Sequence, residues 1–359
     1  MEAFEYRVNT AHIIFGSGSI AKTGELLKQN GLSRPLILST PEQINQAQAL
    51  RDILTQKVEV AGMFSEAKMH TPLYVTEEAL LYCKEKNPDC LISIGGGSTI
   101  GLGKAMPIRN GLFHVVIPTT YAGSEVTPVV GETVDGKKTT RSDPKTLPNL
   151  VIYDVDLTMT LPVGLTVTSG INAIAHAAEA LYAQNGNPIM KLFAQEGIKA
   201  IASALPELLH ESSSISARSS AQYGAWLCGT CLGNVGMSLH HKLCHTLGGS
   251  FDLPHSQTHT IMLPHALAYN APKVPAAMKM LADALLESNG NAIQGLNALL
   301  AKTEAPRSLK EFGMKESDID RAADIAVSNA YWNPRTVERD LIREVIRRAW
   351  AGEDARTDL

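Results

Sequence analysis

The chain has 359 residues, enough for two domains, and its 44% hydrophobic and 19% charged residues match an ordinary globular protein with apolar material for two cores. Its net charge of −4 offers no basic face to attract nucleic acid or an anionic membrane surface, so neither is an expected partner. The N-terminal MEAFEYRVNT lacks the basic-then-apolar order of a secretory leader, and no run of eighteen apolar residues is present. Five cysteines without framework spacing suit a reducing, cytoplasmic setting.

In chain order, the first half alternates β-rich runs with amphipathic segments. The predicted strands are 12–15, 35–39, 58–64, 90–94, 114–118 and 150–154, with helical stretches such as TGELLKQNG and TEEALLYCKEKNP between them. This spacing predicts a parallel sheet with helices on both faces. VVGETVDGKKTT (129–140) places Asp-Gly between β-branched runs and predicts a hairpin.

The grammar changes after residue 157. From 158 to 359 the periodicity is helical throughout, which predicts an α/β domain over 1–157 and an all-helical domain over 158–359. HESSSISARSS (210–220) reads as a polar link between helices, and the final EDARTDL is expected to fray. Cys228 and Cys231 form a C-x-x-C in the apolar context AWLCGTCLG, which reads as buried helix rather than a redox or metal site.

CLISIGGGSTIGLGKA (90–105) reads as a strand, a glycine triplet and a helix start. Gly95, Gly96 and Gly97 allow close backbone approach, Ser98 can cap the helix or donate to an anion, and amides at a helix N-terminus favour phosphate. PTTYAGSE (118–125) follows the next strand and offers Thr119, Thr120 and Ser124 at the same sheet edge. Together these loops predict a nucleotide site. LILSTPEQ ends the second strand on Ser39 and Thr40, with no acid to meet a ribose 2′-hydroxyl, so both NADH and NADPH are expected to be accepted.

Four of the 11 histidines fall within HHKLCHTLGGSFDLPH (240–255). Asn172 and His176 stand at i and i+4, as do His241 and His245, so each pair projects from one helical face; His255 follows at LPH. Three such pieces predict one site.

The order of FGSGSI, GGGSTIGLGK, PTTYAGSE, GINAIAHAAEA, HKLCHTLGG and LPH along the chain resembles the iron-containing (group III) alcohol dehydrogenase family over essentially the whole length. The resemblance implies a Rossmann-like domain, a helical domain, an active site in the cleft between them and a homodimer. Family members hold iron or zinc with one aspartate and three histidines. Carried onto this sequence, those positions are Asn172, His176, His241 and His255, with His245 near the nicotinamide but not a ligand. A neutral amide is a weaker ligand than a carboxylate, so no catalytic metal is expected. Gly101 also stands where the family keeps an aspartate, while Lys104 is retained.

These departures resemble the branch of the family that reduces the conjugated double bond of 2-maleylacetate to 3-oxoadipate in aromatic degradation. The resemblance thus implies a small dicarboxylate substrate, handled by Asn172, His176, His241, His245 and His255. Lys242, His240 and Arg335 are weaker candidates as carboxylate partners, and Cys244 reads as a buried spectator. The alternatives are a metal-dependent alcohol dehydrogenase of the same family and a lyase resembling dehydroquinate synthase. A non-catalytic nucleotide-binding protein is disfavoured by the intact glycine and histidine motifs.

Overall fold

The six strand runs of the first half assemble into one parallel sheet, in the spatial order His12–Phe15, Leu150–Tyr153, Phe113–Pro118, Cys90–Gly95, Pro35–Leu38 and Gly62–Phe64. The computed structural model describes Phe4, Tyr6 and residues 11–134 and 137–359. The strands of the sheet are β1 (His12–Phe15), β2 (Pro35–Leu38), β3 (Gly62–Phe64), β4 (Cys90–Gly95), β5 (Phe113–Pro118) and β8 (Leu150–Tyr153). Between them lie α1 (Thr23–Gln29), α2 (Ile44–Leu54), α3 (Leu73–Lys86), α4 (Gly97–Ala105) and α5 (Pro107–Asn110).

Alternation along the strands builds a core on each face. Ile37, Ile92, Ile94, Val115, Ile117 and Ile152 pack against Leu27, Leu50 and Leu54 of α1 and α2. Leu36, Leu38 and Leu91 turn the other way, onto Val75, Ala79, Leu102 and Met106. Helices therefore cover both faces, as the pattern predicts. The hairpin also forms, with β6 (Val129–Val134) antiparallel to β7 (Lys137–Ser142). Its Asp-Gly turn lies outside the described residues.

The chain divides into two compact units, one running to Leu161 and the other holding Pro162–Leu359. Among the described residues the second contains no strand. Its helices are α6 (Val163–Ala180), α7 (Pro188–His210), α8 (Ile215–Asn234), α9 (Leu239–Phe251), α10 (His255–Asn270), α11 (Pro275–Ala284), α12 (Ala292–Lys302), α13 (Ile319–Ser328) and α14 (Arg339–Ala351). Leu243, Leu247, Met262, Ala266, Ile342 and Ile346 belong to one of its cores.

Three local expectations are corrected. Strand β3 starts at Gly62 rather than Val58; Glu59 and Ala61 donate backbone bonds to Ser33 and Pro35, but the ladder with β2 begins only at Leu36–Gly62. The polar link after α7 is short, because Ser214 caps α8 by accepting from the Ala217 amide and Ser216, Ser219 and Ser220 are already helical, which leaves only Glu211, Ser212 and Ser213 between the α7 end and the cap. The C-terminal segment does not fray: Ala355 is buried, Asp358 pairs with Arg348, and the Leu359 carbonyl accepts from Arg335. Cys228 and Cys231 are buried free thiols, as read. Among the described residues no helix is long and apolar enough to cross a membrane.

Candidate functional site

The site begins with a helix that is buried almost all round. From Thr166 to Ala180 every residue of α6 is buried, so any polar side chain there needs a partner inside the protein. Three such residues, Asn172, His176 and Glu179, lie at i, i+4 and i+7 on one face.

Glu179 has no exposed surface, and both its oxygens accept. The Ser238 amide and His241 Nδ1 bond to Oε2 at 2.7 and 2.8 Å. The His240 amide and the Tyr182 hydroxyl bond to Oε1 at 2.7 and 3.4 Å. Ser238 is the N-cap residue of α9 but does not cap it; its hydroxyl is spent on Trp332 O and Asn333 Oδ1. A carboxylate from α6 therefore takes over the capping of α9, where negative charge is favoured.

His241 is joined to His176 by a 2.8 Å contact between its Nε2 and His176 Nδ1. A left-handed Asp252 (φ 54°) closes α9, and Pro254 then starts α10 with His255 as its first residue. One turn later comes His259, whose ring centre lies 4.3 Å from His255, 4.9 Å from His240, 5.2 Å from His241, 6.2 Å from His176 and 6.5 Å from His245. The structure thus brings His176, His241, His245 and His255 together, with His259 at their hub. Asn172 is buried on the same face of α6, and its Oδ1 accepts no hydrogen bond among the described residues.

The cluster has a buried layer and an exposed rim. His240 Nε2 meets His259 Nδ1 at 3.0 Å, and burial drives both imidazoles well below their usual pKa, which keeps them neutral. Cys244 lies beside His240, and burial raises its thiol well above the usual value, as suits a spectator. His245 is exposed, and its Nδ1 sits 3.0 Å from the Tyr331 hydroxyl. Lys242 Nζ lies 5.9 Å over the Tyr331 ring, its pKa lowered by partial burial. Arg335 is structural: it donates to Tyr269 O and Leu359 O and stacks 4.1 Å over the Tyr269 ring.

Sequence reading missed Glu179, His259 and Tyr331. Glu179 continues the helical face of Asn172 and His176, and His259 is i+4 from His255, so both carried a local signal. Tyr331 had none, lying 86 residues from His245 in an irregular segment.

The α/β unit presents the glycine loop. Gly95 has φ 150°, and a Cβ there would lie 2.3 Å from Gln43 Oε1, so only glycine fits without displacing a neighbour. Gly96 is the N-cap of α4 and no side chain caps the helix, which corrects the capping role expected for Ser98. Gly97 is exposed with open space around it, and Ser98 is half-buried in the first turn. A cleared helix start with uncapped amides fits a pyrophosphate.

Thr119 accepts from Gln43 Nε2 at 2.8 Å, and the buried Thr120 Oγ1 has no partner among the described residues. Ser39 is buried, and its hydroxyl is bonded to Ser65, so it is not presented to a ligand. The acid missing at the end of β2 stands one short turn later, as exposed Glu42. Lys104 is fully buried and ties α4 to the second loop through Ser124 O at 2.7 Å and Thr127 Oγ1 at 2.8 Å. Burial brings its pKa down to about 7, against an upward pull from Glu125.

The family's metal would fall on Asn172, His176, His241 and His255. This set contains no anion, and His241 already spends one nitrogen on Glu179 and the other on His176. Glu179 preserves the carboxylate–histidine arrangement seen around metals, but its oxygens are filled by four donors. The set does not fit a tightly held divalent cation. Elsewhere, His240, Cys244 and His259 bring ligand atoms within 4.8 Å of one another, the one such group of His, Cys, Asp or Glu among the described residues. The high thiol pKa and the His240–His259 bond make that trio a packed polar layer.

Comparison with known proteins agrees with this architecture. Residues 10–155 match the family model described as iron-containing alcohol dehydrogenase, and residues 166–350 match the C-terminal model of the same family. The chain is 51% identical over 352 residues to a maleylacetate reductase from Rhizobium sp. (strain MTP-10005), covering 98% of this chain and 99% of that one. The crystal structure of a maleylacetate reductase from Agrobacterium tumefaciens superposes with a TM-score of 0.94 at 49% identity, covering 99% of this chain and 100% of that one. An iron-containing alcohol dehydrogenase from Corynebacterium glutamicum gives 0.93 at 38% identity, covering 99% and 98%.

Proposed function

The chain belongs to the iron-containing alcohol dehydrogenase family, and from that premise we propose that it is an NAD(P)H-dependent reductase of 2-maleylacetate that works without a catalytic metal. The observation that carries this reading is Asn172, a buried amide with an unmatched oxygen, in a histidine cluster whose nearest carboxylate is already committed.

When bound at the glycine loop, the reduced nicotinamide supplies a hydride. The hydride joins the alkene carbon β to the ketone, the π pair moves onto the ketone oxygen as an enolate, and a proton then joins the α carbon to give 3-oxoadipate. The protein's task is to stabilise the enolate oxygen and deliver that proton. Hydrogen bonds from the imidazole cluster serve the first, in place of a Lewis acid. His245, exposed and held by Tyr331, is suited to the second, and Lys242 on the same rim is suited to a substrate carboxylate.

Asn172 serves this substrate in a further way. A carboxylate 4 Å from one of the dianion's charges would cost about 4 kcal/mol at an effective dielectric near 20, and an amide removes that repulsion. A homodimer is the assembly that family membership suggests, and light scattering of the purified protein tests it.

The deciding assay follows NADH and NADPH oxidation with 2-maleylacetate, with and without a strong chelator. Consumption of cofactor with formation of 3-oxoadipate, unchanged by the chelator, is expected. No turnover would end the reductase reading; turnover abolished by chelation and restored by zinc or iron would end the metal-free one.

A further inference from the structure

We infer that Glu179 is a positioning residue that sets the tautomers of the His241–His176 pair. Four groups hydrogen-bond to its carboxylate, each as a donor: two backbone amides, the Tyr182 hydroxyl and His241 Nδ1. An ionised carboxylate can only accept, so His241 must present a hydrogen on Nδ1. A neutral His241 then has its lone pair on Nε2, and the 2.8 Å contact requires His176 to donate from Nδ1.

The hydrogen bonds therefore run in one direction, from His176 through His241 to Glu179. Burial enforces this order, since Glu179 has no exposed surface and His176 and His241 are 3% and 2% exposed, leaving little water to offer an alternative. The same carboxylate anchors the first turn of α9, so the orientation of His241 and the start of its helix share one support.

The consequence for turnover rests on the reductase reading above. A reversed tautomer exchanges donor and acceptor nitrogens along the pair and misplaces the hydrogen bonds offered to the enolate. In hydrolase triads, losing the equivalent orienting carboxylate while keeping the geometry costs about 10⁴ in turnover through the wrong tautomer.

The test is Glu179→Gln in the full chain, read by steady-state kinetics and by ¹⁵N spectra of the histidine rings. A glutamine keeps the shape but must put an NH₂ where one oxygen accepted. Expected are a fall in kcat of at least ~100-fold by analogy with that loss, cofactor affinity within twofold of native, and a shift of the His241 hydrogen from Nδ1 to Nε2. Glu179→Asp should recover part of kcat and the native tautomer. Native His241 found with its hydrogen on Nε2, a measurement that needs no variant to fold, would overturn the inference, as would Glu179→Gln turning over at the native rate. The spectra do not depend on the substrate, so a native chain inactive on 2-maleylacetate would refute the reductase reading and leave the tautomer assignment standing.

Discussion

At the scale of single residues, the metal-free reading proposed above turns on Asn172. Its amide faces a cluster with no carboxylate to spare, because Glu179 is consumed by α9 and His241. Asn172→Asp is therefore expected to give the cluster its missing anion, raising zinc affinity by tenfold or more, at roughly 1.4 kcal/mol per tenfold. The same change should raise KM for the dianionic substrate in metal-free buffer. Calorimetric titration with zinc beside chelated kinetics checks both, and a variant with native zinc affinity would show that the amide is not what excludes the ion. Asn172, His176, His241 and His245 were marked as candidates in the sequence by helical spacing and family order together, and His255 by family order at LPH alone. Their arrangement was not legible: i+4 spacing puts two side chains on a face, but only packing shows that His259 lies at the hub and that Glu179 sets the inner rank.

At the scale of elements, periodicity located the sheet and helices well and failed at their ends. Serines 214, 216, 219 and 220 read as a linker, although one of them caps a helix and three lie inside it. Such ends depend on which backbone amides lack partners, and composition does not record that.

The α4 connection shows a physical consequence of burial that sequence could not reveal. Lys104, in the last turn of α4, holds that helix to the Ser124–Thr127 turn from a position with no exposed surface, with Glu125 buried nearby and bonded to Tyr153. Burial brings its folded pKa to about 7, below the ordinary lysine value of 10.5. Between those values the unfolded chain binds more protons, so this lysine's contribution to stability is present above about 10.5 and is lost as pH falls to about 7. Lys104→Met should lack that slope. Between pH 7 and 9.5, below the range where Tyr153 would enter, the native melting temperature should gain on the variant's by several degrees, at about 2–4 °C per kcal/mol for a unit of this size. Melting curves that stay parallel would show that Lys104 does not titrate in the fold.

At the scale of the whole molecule, a chain of net charge −4 is proposed to take up two anions, a dicarboxylate and a nicotinamide dinucleotide. Long-range attraction does not help it, so affinity must come from local neutrality and donors. Two positions where the family resemblance implies a carboxylate carry none here: Asn172 in the helical unit, and Gly101 in the α/β unit, where a Cβ would lie 2.3 Å from Thr71 Oγ1. The acid left near the ribose end of the nucleotide loops is Glu42, exposed and kept below the usual carboxylate pKa by its own backbone amide and by Thr40. A charge so placed is screened over about 8 Å at physiological salt, so it biases against a 2′-phosphate without excluding it. Both cofactors should therefore stabilise the intact chain, by about 2.7 kcal/mol at a hundred times their dissociation constants. Glu42→Gln should tighten NADPH relative to NADH by roughly two- to fivefold at low salt, an advantage that shrinks as salt is raised. Fluorescence titrations of both cofactors at two ionic strengths measure this. A ratio that does not move with the variant would place the 2′-hydroxyl away from the β2 turn and require another residue to set cofactor preference.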